Sequence, residues 1–520
     1  MAVLLIRNET NRFGSPRATG DYESSGATSL KILSTSVVFL LLAGCISPPK
    51  NQSDKLDIDM PESWKSELGG GQFDPNGWIR DFNDPHLASV IEEAFVHNYN
   101  LQAAEARLRA SIEGSRFAGS NIYPSLTGTT NVNRNRRNNA SGISQTPTAE
   151  TYGINLRFNW EIDLWGRVRN GYKADLADIQ SAKATYDATR LSIAGRVAQA
   201  WYNAIEDDLQ YDLAKRTQVA LESGAQIVEE NFKRGIARAL DVRLVRANVA
   251  SNQSTLEARM RAKESSARIL ETLLGRYPAN EILKARGLDS ESKSDESADD
   301  LSPTYDYASR FPELQQNIPT GIPSELLLRR PDIIAAERSL AASEQRKFET
   351  SKARIPSLNI NLSRGTNARE VEDIIEVMDF RVWSQSATFA QTLFQGGRLR
   401  ANFRRSKANY EVALANYASS VLTAFREVEN ALGNQDSFER DYESQKIAAE
   451  ESAAAEVLAW EEYGRGLTDI TTALDAVRRN ITAQRGLIGV SNQRIQSRID
   501  LYLSLGGGLG YGPKENESDE

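Results

Sequence analysis

Histidine and cysteine are nearly missing from this chain of 520 residues, which has only His86, His97 and Cys45. Their scarcity excludes a zinc cluster, a Cys/His dyad and a structural disulfide by count. A Ser/His/Asp triad would have to use His86 or His97, and both fall in what reads as the start of an ordinary amphipathic helix. Both are expected to be structural. Positive charge is not in excess either: 62 Lys and Arg against 70 Asp and Glu leave a net charge of −8 and no footprint for a nucleic-acid backbone. No apolar run reaches the roughly 18 residues of a helical membrane span. If the chain crosses a bilayer, strands must do it. Carboxylate pairs such as Glu92/Glu93 and Asp207/Asp208 could support acid–base chemistry, but on long charged helices they are expected to lie on solvated faces.

What is present begins with an address. Residues 30–45 carry one lysine, then an apolar run of about a dozen residues, then small residues, the make-up of a secretory signal too short to span. Leu42-Ala43-Gly44-Cys45 resembles the bacterial lipobox, whose cysteine is acylated and becomes the first residue of the mature chain. Cys45 is therefore expected to carry fatty acyl groups such as palmitate. Residues 1–44 read as the lipoprotein signal region and residues 45–85, with their Pro and Gly clusters, as a lipidated tether. Ile46 in place of Asp points to delivery to the outer membrane.

The remainder is one unit used twice. Glu105, Pro124, Ser125 and Leu126 recur 232 positions later as Glu337, Pro356, Ser357 and Leu358. The spacing then drops to 231 and holds for Gly166/Gly397, Arg167/Arg398, Tyr186/Tyr417, Arg234/Arg465, Gly235/Gly466 and Gly275/Gly506. A duplicated unit with a single-residue length change explains this register, and two unrelated domains do not. The repeats are placed at 86–288 and 331–512. Residues 289–330 form an acidic linker and connecting segment, and 513–520 an acidic tail. The run 289–300 is too polar to bury a core.

Each unit reads as helix, strand pair, very long helix, turn, helix. Tyr152, Ile154, Leu156, Phe158, Trp160 and Ile162 alternate with Gly153, Asn155, Arg157, Asn159 and Glu161, a strict period of two. A strand of about 11 residues with aromatics near its ends fits one that faces lipid on one side and water on the other. Ile154, Leu156, Phe158 and Trp160 are the expected lipid-facing residues. A weaker alternation occupies 358–362 and 380–393 in the second copy, and the loop 133–147 is polar, as an exposed loop should be. Residues 166–232 and 397–463 contain no proline, and Tyr410, Leu414, Tyr417, Val421, Phe425, Val428 and Leu432 mark one helical face. A helix of that length, about 100 Å, must lie in a bundle of its own length. Gly235 and Gly466 mark the hairpin tips. The returning helices, 239–274 and 470–505, are half as long, so a helix over 87–121 is expected to complete the length by stacking end to end with the first of them.

Three stretches carry a family resemblance: 321–333 (Gly-Ile-Pro-Ser-Glu-Leu-Leu-Leu-Arg-Arg-Pro-Asp-Ile), 391–398 (Gln-Thr-Leu-Phe-Gln-Gly-Gly-Arg), and Tyr463-Gly464-Arg465-Gly466 with Leu474-Asp475-Ala476. With them the chain resembles the TolC/OprM-like outer-membrane factors of tripartite efflux pumps, in their NodT-type lipoprotein branch, over about residues 60–512. The resemblance implies a mainly α fold with a membrane β-barrel. Three chains would close a 12-stranded barrel continuous with a long periplasmic α-helical barrel. It also implies a homotrimer working with a periplasmic adaptor and an inner-membrane transporter, held in outer-membrane lipid, without cofactor, metal or nucleic acid. Asp475 sits where the family places a ring of aspartates near the periplasmic gate, and Tyr463 where a tyrosine latches the closed tip. Thr471 replaces a frequent leucine, and Arg465, like Tyr463, is a candidate to compensate the Asp475 charges. The expected function is a passive exit duct and not an enzyme. Three alternatives fit less well. A type I protein-secretion channel shares the architecture, a periplasmic adaptor lipoprotein has one hairpin and not two, and a lipid-anchored enzyme would need a polar constellation that is not found. The glycine-rich run 506–512 lacks a preceding strand and reads as a helix terminator rather than a phosphate loop.

Overall fold

The computed structural model describes residues 47–55, 61, 63–65, 77–136, 148–287, 307, 310–314, 323–370 and 382–507. The chain divides into two compact units, 1–47 and 48–520, and the second is described here. Cys45 and the signal region, the acidic run 289–300 and the tail 513–520 lie outside the described residues.

Asp84 opens α1 (Pro85–His97): its carboxylate accepts from the backbone N–H groups of His86 and Leu87, which a helix start leaves unpaired. Asn98 does the same for α2 (Tyr99–Gly119), accepting from Asn100 and Leu101. The single helix expected over 87–121 is therefore two. Asn98 is extended, with ψ 118°, and interrupts the first helix in the act of capping the second.

β1 (Ser125–Arg136), β2 (Thr148–Ile162), β3 (Ser357–Ala368) and β4 (Val382–Ala390) form one antiparallel sheet in chain order, so each repeat contributes one hairpin. Phe158 lies opposite Leu126 and Leu362, and Trp160 opposite Ile360, whereas Asn159 lies opposite Ser125 and Asn361. Directly opposed residues share a face. One face thus collects Leu, Ile, Phe and Trp, and the other Asn, Ser and Thr. The alternation expected over 380–393 stops at Ala390, and just beyond it the Gln391 side chain donates to the Arg354 carbonyl at 3.1 Å.

The long helices α3 (Arg167–Lys233) and α6 (Arg398–Gly464) have 67 residues each. They turn at Gly235 and Gly466, with φ of 76° and 75°, a conformation glycine adopts without steric cost. They return as α4 (Ala239–Leu273) and α7 (Ile470–Ser504), 35 residues each. α5 (Pro331–Lys352) leads into the second strand pair. α3 packs along α4, α2 and α5, α6 along α7 and α5, and α7 meets α3. Side by side the layer runs α2 with α4, then α3, then α5 with α7, then α6. The short helices meet end to end at Asn98–Leu273 and Arg330–Ser504.

Where the short helices meet, Trp78, Phe82, Trp201, Tyr202 and Tyr502 form an aromatic core. The Trp201 indole N–H donates to Asp84 at 2.9 Å, so the carboxylate that caps α1 also fastens it to α3. Over its described residues the stretch read as a tether lies along the helices. The Gln52 backbone donates to Glu337 at 2.6 Å, Lys55 pairs with Glu344 at 2.5 Å, and Trp64 packs edge-on against Phe425 with ring centres 6.1 Å apart. Trp64 and Trp78 in this polar stretch are buried against Phe425 and Tyr502, far along the chain. Asp208 is a correction: it is 1 % exposed and paired with Lys263 at 2.9 Å, not on a solvated face. Glu93 holds Arg276 and Arg286, and of that pair only Glu92 is solvated.

Candidate functional site

The two hairpin tips pack against each other within one chain. Ala225, Val228, Val242 and Val245 from the first meet Ala459, Ile470 and Ala473 from the second. Trp460 is the wedge between them: a Cβ on Gly224 would lie 2.7 Å from its ring, so only glycine at 224 admits the indole. The Tyr463 ring stands edge-on to Trp460 at 6.0 Å, and its hydroxyl bonds the side chain of Asn231 at the end of α3. Burial pushes that hydroxyl's pKa up. Tyr463 therefore fastens the second hairpin to the first, an arrangement suited to a latch.

Asp475 lies one turn into α7 and is bonded by Arg478 and by Arg479, the latter at 2.7 Å. These bonds, Arg479 first, hold its carboxyl below the ordinary carboxylate range. The expected compensation by Tyr463 and Arg465 is thus corrected. Arg465 pairs with Glu461 at 3.5 Å, and the neutralising groups lie three and four residues further along Asp475's own helix. That spacing was legible in the sequence. Thr471 donates from its hydroxyl to Asp469 at 2.6 Å, and Asp469 caps α7 through the Thr472 N–H at 2.9 Å. Gly235 and Gly466 have open space where a side chain would stand.

Sequence reasoning missed three participants. Gly224 and Trp460 are one, since only the contact between the two hairpin tips brings them together. Glu456 is another: burial raises its pKa, and it accepts from the Asn480 side chain at 2.7 Å, tying α6 to α7 just above the tip. The third is a difference between the copies. Arg246 clamps the first hairpin through Glu229 at 2.7 Å, whereas Val477 and Trp460 occupy the corresponding positions in the second.

In the sheet, Ile154 and Leu156 are 36 % and 40 % exposed, while Phe158 and Trp160 are partly covered. The Trp160 indole donates to the Ile122 carbonyl at 3.0 Å, seating the base of β2 on the short turn that follows α2. Among the described residues there is no group of three or more metal-ligating side chains, and no helix is long and apolar enough to cross a membrane.

The sequence model of the family described as outer membrane efflux protein matches residues 90–276 and 322–507, one match for each repeat. The chain is 27 % identical over 489 residues to the pyoverdine export outer membrane protein OpmQ of Pseudomonas aeruginosa, covering 92 % of this chain and 97 % of that one. It is also 27 % identical over 485 residues to outer membrane protein OprJ of the same organism, covering 92 % and 96 %. Among solved structures, the outer-membrane channel OprN superposes with a TM-score of 0.75 at 25 % identity, over 90 % of this chain and all of that one. The Campylobacter jejuni CmeC outer membrane channel shares the fold, with a TM-score of 0.75 at 22 % identity over 87 % and 94 %.

Proposed function

This chain belongs to the outer membrane efflux protein family, and we propose that three copies of it close the exit duct of a tripartite efflux pump. It is an outer-membrane efflux channel that extends into the periplasm. One observation carries the trimer: both layers are open at the same ends of the repeat. β1 and β4 are the unpaired edges of the sheet, and α2 with α4 on one side and α6 on the other are the edges of the helical layer. Four strands cannot close a barrel, and an open edge in hydrocarbon leaves backbone groups unsatisfied. Three copies supply 12 strands and pair every edge. The apolar face with Ile154, Leu156, Phe158 and Trp160 then meets lipid, and the Asn-rich face lines a water-filled lumen.

The long helices carry the duct about 100 Å into the periplasm, where an adaptor and an inner-membrane transporter deliver cargo that passes through without chemistry. A relative named for pyoverdine export favours small-molecule cargo over secreted polypeptide. Cys45 adds a lipid anchor, and the ring of Asp475 with the Tyr463 latch forms the gate. The test uses the single cysteine to advantage. In a Cys45→Ser background, Thr127→Cys is paired in turn with Ser384→Cys, Ser386→Cys and Thr388→Cys on the opposite edge. Oxidation is expected to give a ladder ending at trimer for at least one pair. Monomer alone for every pair, in membranes where the protein is inserted, overturns the closure.

A further inference from the structure

The duplication lets each charge be compared with its counterpart in the other copy. At the top of α3, Arg169 faces Asp163 at 3.2 Å and also donates to its backbone carbonyl at 2.9 Å. Its counterpart in α6 is Arg400, but the position of Asp163 is taken by Phe394. Residues 398–407 hold five cations and no acid. Among the described residues only Lys407 of these has a carboxylate partner, Glu411 at 3.7 Å. Leu393 and Phe394, between the end of β4 and the start of α6, are 93 % and 88 % exposed. The second copy thus replaces a neutralised junction with bare cations beneath bare apolar side chains.

Their direction follows from the helix. At about 100° per residue, Arg400, Arg404 and Lys407 share a flank of α6 with Phe425 and Glu429. On those two residues lie Trp64 and the Lys65 backbone N–H of the amino-terminal segment. A segment laid across a closed duct runs on its outside. The small residues Ala401, Ala408 and Ala415 point to a different flank, the open edge where the next copy packs. The cations therefore face outward, directly below the sheet.

We propose that Arg400, Arg404 and Lys407 bind the headgroups of anionic glycerophospholipids of the phosphatidylglycerol type in the periplasmic leaflet, with Leu393 and Phe394 set into that leaflet above them. The inference rests on the sheet spanning the outer membrane. Guanidinium forks match phosphate oxygens two at a time, and a basic cluster beside a membrane span is drawn to anionic headgroups. Glu411 lowers the share of Lys407, so Arg400 and Arg404 carry most of the binding.

Phosphatidylglycerol is titrated onto the full-length detergent-solubilised protein and counted by native mass spectrometry, with phosphatidylcholine as competitor. Each cation is worth about fivefold in affinity, so Arg400→Gln with Arg404→Gln should raise the half-saturating concentration about 25-fold. Arg169→Gln, whose charge already faces Asp163, should change it less than about twofold. Equal loss in Arg169→Gln, equal binding of phosphatidylcholine, or displacement of the lipid by inorganic phosphate would each overturn the proposal. So would a double variant that falls apart into monomers while its lipid binding is unchanged, since the patch would then be a contact between copies. Planar-bilayer recordings on the same samples separate the two readings. Wild-type protein that conducts but shows no preference for phosphatidylglycerol sinks the lipid site alone, and protein that never forms channels sinks the spanning sheet and the lipid site together.

Discussion

The side-chain amide of Asn98 donates to the backbone carbonyl of Leu273 across 2.7 Å. This bond joins the start of α2 to the end of α4, and the second repeat makes the same joint with different chemistry. There Arg330 donates to the Ser504 carbonyl at 3.1 Å while also holding Asp332 and Glu427. The last carbonyls of a helix have no partner of their own. Each copy therefore terminates one short helix with the residue that starts the other, which keeps the two in line beside the long helix.

The two joints should differ in cost. Asn98→Ala loses a cap and one hydrogen bond, about 1–2 kcal/mol. Arg330→Ala removes the donor to the Ser504 carbonyl and to two carboxylates that are 48 % and 42 % exposed and can be rehydrated, and should cost about 2–3 kcal/mol. Denaturant unfolding of the solubilised protein would measure both, and equal losses would show that the charged partners of Arg330 add nothing over a neutral cap. Although burial opposes its charge, Arg330 holds Asp332 below the ordinary carboxylate range. Its contribution is present above the unfolded value, about pH 4, and is lost as pH falls through the lower folded value.

Phe158→Arg places a charge on the apolar face and should cost about 2–4 kcal/mol at mid-depth, seen as loss of assembled protein in outer-membrane fractions. Asn159→Arg, on the opposite face, should assemble normally. If both variants assemble alike, the face assignment is wrong.

The duplication, the long helices and both tips were legible because they rest on local signals: apolar spacing of three and four, glycine at the turn, and punctuation in register. Phe158 and Asn159 could be sorted to opposite faces by alternation alone. Trp64 could not be placed, since nothing near it in sequence tells of Phe425. The break at Asn98 was equally hidden, because an asparagine at the end of α1 reads as a helix residue until the carbonyl of Leu273 arrives beside it. At the tip, Asp475 was found by its motif, but its compensation was sought on the turn when the residues three and four along the same helix supply it.

Gly224→Ala tests the wedge between the hairpins. In an exposed helix this change stabilises by about 1 kcal/mol, but here the new methyl meets the Trp460 ring at 2.7 Å. The hairpins should be pushed apart and the open fraction raised in single-channel recordings. Tyr463→Phe, which loses the bond to Asn231, should act in the same direction more weakly. A Gly224→Ala channel with wild-type open fraction would show that the tip contact does not control opening.

Glu456 gives the same hairpin a pH dependence. Burial raises its pKa, so the folded tip binds a proton more readily than the unfolded chain does. Its stabilisation is full below the unfolded value, about 4.3, and declines as pH rises through the folded value. Glu456→Gln keeps an acceptor for Asn480 and removes the titration. Hydrogen exchange of the α6–α7 tip should slow on acidification in the wild type, beyond the intrinsic pH effect, and lose that extra slowing in the variant. A variant that keeps it would place the titration elsewhere.

Asp475 is bonded by Arg478 and Arg479, so each copy brings a carboxylate with its own cations to the proposed constriction. In the proposed ring each carboxylate's own guanidinium groups would offset its repulsion of the other two carboxylates, with no help needed from the turn. Removing the carboxylate uncovers the arginines. Asp475→Ala should therefore weaken block by divalent cations and shift selectivity toward anions, whereas loss of a lone aspartate would only weaken the block. Because Asp475 is held below the ordinary carboxylate range, block in the wild type should persist as pH is lowered to about 4 and fade only below it. The shift should also shrink in high salt, where the Debye length is about 3 Å at 1 M. Bilayer recordings in which Asp475→Ala matches wild type in both block and selectivity would remove this residue from the constriction.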